Sequence, residues 1–114
     1  MHELGTVVYI IDTVEKICKE QNLSRVESIT VEIGEVSAII PEYIVDYFNW
    51  SKAKSEFLKE CEMIVENLPA VTYCQDCKQT YPTVEYGKEC PYCHSGNTFL
   101  VTGNEYNIKQ IVAE

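Results

Sequence analysis

Cys74 and Cys77 enclose two residues, Cys90 and Cys93 enclose two more, and twelve residues separate the pairs. A Cys-x-x-Cys segment folds back so that both sulfurs and several backbone N–H groups converge on one point. Two such turns place four thiolates at the corners of a tetrahedron, the shell that Zn²⁺ prefers at about 2.3 Å per Zn–S bond. A closed Cys₄ shell keeps no open coordination position, so it holds shape and does not catalyse. Spacing alone does not separate zinc from iron, because Cys-Pro-x-Cys also occurs in rubredoxin-type sites. Two disulfides would suit an exported chain. A thioredoxin-like redox pair would need a βαβ context and normally a single motif. His94 follows Cys93 directly and is a candidate auxiliary ligand, weighed against a plain exposed residue on the turn.

The second chemical feature is at the start of the chain, in Met1-His2-Glu3. Initiator Met is usually removed only before small residues, so Met1 is expected to stay. Its α-amine, the deprotonated amide nitrogen of His2 and an imidazole nitrogen of His2 then lie in fused chelate rings. The amide nitrogen or the carboxylate of Glu3 supplies a fourth donor. Four donors in a plane suit Ni²⁺ or Cu²⁺ rather than Zn²⁺. The alternative is an exposed terminal histidine with no role.

Composition narrows what these groups serve. With 114 residues, the chain is one domain, or one with a small satellite. Hydrophobic residues at 46% and charged residues at 24% place it among globular proteins rather than disordered ones. The net charge of −9 disfavours nucleic acid and anionic lipid as partners. Residues 1–66 carry 6 basic and 13 acidic side chains; residues 67–114 carry 3 and 5, so the acidity is concentrated in the first part. No apolar run nears the roughly 20 residues of a membrane span, and no secretory leader is visible. The cytoplasm is therefore the expected compartment, where thiols stay reduced and patterned cysteines indicate metal. Cys18 and Cys61 stand among apolar neighbours and are expected to be small buried thiols.

The elements that must position these groups follow from periodicity. Val7, Ile10, Ile11, Val14, Ile17 and Cys18 recur at helical spacing, with Gln21-Asn22 as the stop. Ile29, Val31 and Ile33 alternate with polar residues, forming a strand closed by Gly34. Pro41 and Glu42 open a second helix that ends between Lys54 and Leu58. Ile44, Tyr47 and Phe48 form its apolar stripe, and Trp50 is expected in the core with them. Cys61, Met63 and Val65 make another strand. Val71–Tyr73 leads as a short strand into Cys74. Tyr81, Val84 and Tyr86 predict a further short strand, with a hairpin between the cysteine pairs. Thr98–Val101 and Tyr106–Val112 are the last strands, joined at Gly103-Asn104.

Met1-His2-Glu3-Leu4 opening an amphipathic helix, Ile33-Gly34-Glu35, Pro41-Glu42, the paired Cys-x-x-Cys and Gly103-Asn104-Glu105 resemble, in order and along the whole chain, the HypA/HybF family. These are nickel metallochaperones of [NiFe]-hydrogenase maturation. The resemblance implies an α+β fold: two helices packed on a three-stranded sheet as a nickel lobe, with an inserted Cys₄ zinc-ribbon-like lobe. The nickel lobe would be residues 1–68 plus 104–114 and the zinc lobe 69–103. It implies Ni²⁺ at His2 with the Met1 and Glu3 backbone nitrogens, and structural Zn²⁺ at Cys74, Cys77, Cys90 and Cys93. Implied partners are a HypB-type maturation GTPase and the hydrogenase large subunit, and in some bacteria the urease accessory machinery. The protein would be a monomer or weak homodimer and not an enzyme. Many members have Gly where this chain has His94. The alternative is a zinc-ribbon module for protein interaction or nucleic-acid binding, which explains the cysteines but not Met1-His2-Glu3. It would need a basic groove, and beyond residue 66 only Lys78, Lys88 and Lys109 are available.

Overall fold

The computed structural model describes residues 2–114, with side chains from Leu4 onward. Helix α1 (His2–Glu20) carries Lys19 in its last turn, where a cation complements the helix dipole. Asn22 stops the helix in the left-handed region at φ 56°, and the Leu23 N–H reaches back to the Cys18 carbonyl at 2.9 Å. That is the hydrogen bond of a Schellman cap. Strand β1 (Val26–Gly34) follows. Helix α2 (Pro41–Ser51) starts from extended Ile40 with Pro41 in the first turn, where the missing N–H breaks no bond. It runs into a 3₁₀ turn, Lys52–Lys54. Then come β2 (Glu62–Leu68), β3 (Val71–Cys74), β4 (Thr80–Pro82), α3 (Thr83–Tyr86), β5 (Thr98–Thr102) and β6 (Tyr106–Ala113). The strands form two three-stranded sheets, ordered β2-β1-β6 and β4-β3-β5. The class is α+β, as expected.

The chain divides into two compact units. One comprises Met1–Glu32, Ile39–Glu66 and Asn107–Glu114; the other comprises Ile33–Ala38 and Asn67–Tyr106. In the first unit, α1 and α2 pack together. Val7, Ile10, Val14 and Cys18 on α1 are buried with Ile44 and Phe48 on α2 and Val26, Ile29 and Val31 on β1. Each large side chain removed from water in this way stabilises by about 1.5–3 kcal/mol. Polar contacts fix the surrounding loops. The Ser55 hydroxyl donates to Glu15 Oε2 at 2.8 Å, and Lys52 Nζ donates to the Cys61 carbonyl at 2.7 Å. The chain end returns to the start of β1, where Ser24 and Arg25 N–H groups donate to the Glu114 carbonyl. Among the described residues, no helix is long and apolar enough to cross a membrane.

Trp50 is not in this core; it is 67% exposed, while Phe48 is fully buried and Tyr47 half-buried. The inward stripe is Ile44 and Phe48, four residues apart. Two residues beyond Phe48 lie about 200° around the helix, on the solvent side. Lys54 Nζ covers the exposed Trp50 ring at 4.8 Å from its centroid. The strand expected over Tyr81–Tyr86 is also corrected. Only Thr80–Pro82 is extended, and Val84 and Tyr86 belong to the single turn α3. The hairpin is made by β4 with β3, in register Thr72 opposite Tyr81, and not between the cysteine pairs.

Candidate metal centre

Cys74 ends β3, and Cys77 follows in the turn after it. Cys90 and Cys93 lie in the loop between α3 and β5. The two turns repeat one hydrogen-bond pattern. In the first, the Cys74 N–H donates to the Gln79 carbonyl at 2.9 Å and the Lys78 N–H to the Cys74 carbonyl at 2.8 Å. In the second, the Cys90 N–H donates to the Ser95 carbonyl at 3.0 Å and the His94 N–H to the Cys90 carbonyl at 2.8 Å. Both turns close through a left-handed residue, Lys78 at φ 61° and His94 at φ 62°. Glycine adopts that conformation at no steric cost. This position therefore accounts physically for the residue after the fourth cysteine: the backbone, not the imidazole, is what the turn requires there.

A polar staple joins the turns. Asp76 accepts from the Ser95 hydroxyl, and from Asn97 Nδ2 at 3.3 Å; the Gln75 N–H donates to the Asn97 carbonyl at 3.0 Å. Those two side-chain donors, Ser95 first, hold the Asp76 carboxyl below its ordinary range. Asp76, Ser95 and Asn97 belong to no recognisable motif; their only sequence signal is that each lies within four residues of a cysteine.

The result is a convergent sulfur cluster. The Cys74 and Cys93 sulfurs are 3.6 Å apart and the Cys77 and Cys90 sulfurs 3.4 Å. All four lie within 4.8 Å of one another, and all are free thiols rather than disulfides. A zinc tetrahedron with 2.3 Å bonds has edges of about 3.8 Å, so the donor set and its spacing fit Zn²⁺. Burial opposes ionisation of Cys90, but the N–H groups of Cys93 and Tyr92 outweigh it and bring the thiol down to about 7. Desolvation and the neighbouring sulfurs push Cys77 up to about 12. Ionising all four thiols together would need a cation to offset the repulsion among the sulfurs.

His94 Nδ1 lies 3.2 Å from Glu89 Oε2, on an exposed side chain, and the metal-competent group among the described residues consists of the four cysteines. His2 opens α1, but its side chain and those of Met1 and Glu3 fall outside the described residues, so the nickel ligands expected there do too. Cys18 and Cys61 are 1% and 0% exposed, as expected of packing thiols. Burial pushes the Cys61 thiol up to about 11, which leaves it unreactive at neutral pH.

Fold and site together define a small two-unit protein with one apolar core and one built around a Cys₄ metal site. The profile of the HypA family, described as hydrogenase/urease nickel incorporation, metallochaperone, matches residues 1–113. The chain belongs to this family of nickel metallochaperones. It is 30% identical over 114 residues to the hydrogenase maturation factor HypA of Actinobacillus succinogenes, covering 100% of both chains. Its fold is similar to the solution structure of the Ni metallochaperone HypA from Helicobacter pylori. That match has TM-score 0.70 and 25% identity, and covers 97% of this chain and 96% of that one. A second solution structure of a HypA protein has TM-score 0.76 and 27% identity, covering 100% and 97%.

Proposed function

We propose that this chain binds Ni²⁺ at its first residues and hands it to the machinery that matures [NiFe]-hydrogenase, while zinc holds the second unit in shape. The observation that carries this reading is the family match over residues 1–113, which includes Met1-His2-Glu3 as well as the four cysteines. In the proposal, nickel is held by the His2 imidazole and backbone nitrogens of Met1, His2 and Glu3. Helix α1 begins at His2, and the first four N–H groups of a helix have no intrahelical acceptor. The amides that a planar chelate must deprotonate are thus not needed by the helix. Nickel is cargo here: an exposed chelate can be dismantled by a competing ligand or by protonation.

The lobes of the proposal are residues 1–68 with 104–114 for nickel and 69–103 for zinc, the latter through Cys74, Cys77, Cys90 and Cys93. His94 is assigned to the backbone turn. The protein acts without catalysis, in the cytoplasm, as a monomer or weak homodimer. It works with a HypB-type GTPase and the hydrogenase large subunit, and urease is a second client through its accessory protein. The test is nickel titration of the untagged protein against a form with extra residues before Met1, which keeps His2 but removes the adjacent free amine. The extended form should lose the site; full retention would overturn the chelate.

A further inference from the structure

The four sulfurs of the metal site are not equally sheltered. Cys74 and Cys90 are buried and Cys77 is half-buried, whereas Cys93 is exposed. A competing ligand or an electrophile in solution therefore meets Cys93 first, because access governs thiol reactivity. The two turns are also anchored differently. Cys74 lies within β3 and is paired with Thr98 of β5, so the sheet holds the first turn. Cys90 and Cys93 lie in the loop between α3 and β5, outside any strand pairing. Side chains have to fasten that second turn.

Ser95 and Asp76 do so. The Ser95 N–H faces the Cys93 sulfur, and the Ser95 carbonyl accepts from the Cys90 N–H at 3.0 Å. The Ser95 hydroxyl donates to Asp76 and accepts from the Asn97 N–H at 3.0 Å. Asp76 stands between Cys74 and Cys77, in the turn that the sheet anchors. It thus ties the residue that supports the exposed sulfur to the fixed side of the site, through a hydrogen bond strengthened by the carboxylate charge. Cys90 has bonds of its own that do not pass through Asp76. Its sulfur accepts from the Tyr92 N–H at 3.4 Å, and its carbonyl from the His94 N–H.

We propose that Asp76 is a positioning residue for metal retention. Through Ser95 it keeps Cys93 in the four-sulfur shell, and so sets the rate at which the site yields its metal to a competing ligand. Loss of the tie frees one sulfur rather than loosening all four. The proposal rests on zinc filling the Cys₄ shell and is independent of nickel at His2.

The experiment is pulsed alkylation of the zinc-loaded, full-length protein with N-ethylmaleimide. Initial rates are read cysteine by cysteine by mass spectrometry, beside the rate of zinc transfer to a colorimetric chelator. In the parent protein Cys93 should be modified ahead of Cys74, Cys77 and Cys90. Asp76→Ala should speed both Cys93 modification and zinc transfer about tenfold, the effect of losing one hydrogen bond to a charged group. Ser95→Ala removes the same bond from its other end and should match it, and the double variant should be no faster than either. Asp76→Asn keeps an acceptor for the Ser95 hydroxyl and should stay within about threefold of the parent. Unchanged rates in Asp76→Ala and Ser95→Ala, another cysteine modified first, an equal rise at all four cysteines, or Asp76→Asn as fast as Asp76→Ala would each overturn the proposal. Those outcomes leave the zinc assignment standing; a parent protein that carries no zinc would overturn both.

Discussion

The two compact units hold together by different means. The first buries Val7, Ile10, Val14, Ile29, Val31, Ile44, Phe48 and Leu58 in an aliphatic and aromatic core. The buried cluster of the second is Cys74, Tyr81 and Cys90, with Cys77 packed against it. A small unit that buries only a few apolar side chains, Ile33, Ala70 and Tyr81, beside Cys74 and Cys90 lacks the apolar area to offset chain entropy, so a bound metal must supply much of its folding energy. The lesson is that the cysteines, though the most visible chemistry in the sequence, serve as the core of one unit, while the proposed cargo site is elsewhere.

Removing the metal tests this contrast with the largest expected effect. A strong chelator, or Cys90→Ser, should abolish amide-exchange protection in β3, β4 and β5. Structural zinc contributes on the order of 10 kcal/mol in small metal-folded modules. The helical circular dichroism of α1 and α2 should persist. Protected β3 and β5 amides in the metal-free protein would break the contrast. Next in size is the apolar core. Phe48→Ala should destabilise the first unit by about 3–5 kcal/mol in urea denaturation. Trp50→Ala, on the solvent side of the same helix, should stay within about 0.5 kcal/mol. Equal losses would mean that the helix faces are misassigned.

Gly103→Ala comes third. Gly103 sits at φ +119°, and an added Cβ would lie 2.4 Å from the Ala70 Cα. A cost of about 2 kcal/mol or more is expected in thermal unfolding, since neither backbone can yield cheaply. His94→Gly should change stability by no more than a few tenths of a kcal/mol and retain full zinc, because glycine suits φ 62° at least as well. Loss of zinc from that variant would make the imidazole a ligand after all. The smallest effect is a pH dependence. The Thr102 hydroxyl and then the Gly103 N–H hold the Glu105 carboxyl below its ordinary 4.5. A depressed carboxyl contributes stability above its unfolded pKa and loses it as pH falls through the folded one. Glu105→Gln should therefore lower stability slightly at neutral pH, converge on the parent protein at acid pH, and so flatten the acid limb of the stability curve below about pH 4.5.

Much of this was legible from period and spacing. The α1 stripe, the β1 alternation, Pro41 at the start of α2 and the cysteine pairs each depend on local order along the chain, which the sequence displays directly. Trp50 was misplaced because proximity to Phe48 outweighed the helical angle, an error that counting 100° per residue would have avoided. The single turn at Thr83–Tyr86 is too short for any period to separate it from a strand. The left-handed residues Lys78 and His94 were hard to read for another reason: Lys carries no preference for that region and His only a modest enrichment, so residue type gave little signal. A cavity lined by Val36, Thr72, Thr83 and Phe99 draws on segments far apart in the chain, and only the folded backbone gathers them.

The division of labour between cysteines and N-terminus is tested most directly by measuring both metals in one variant. Nickel-exposed His2→Ala, analysed untagged by mass spectrometry of its metals, should keep about one zinc per chain and lose the nickel that the parent protein carries. Nickel retained at full stoichiometry, or zinc lost with it, would contradict the account.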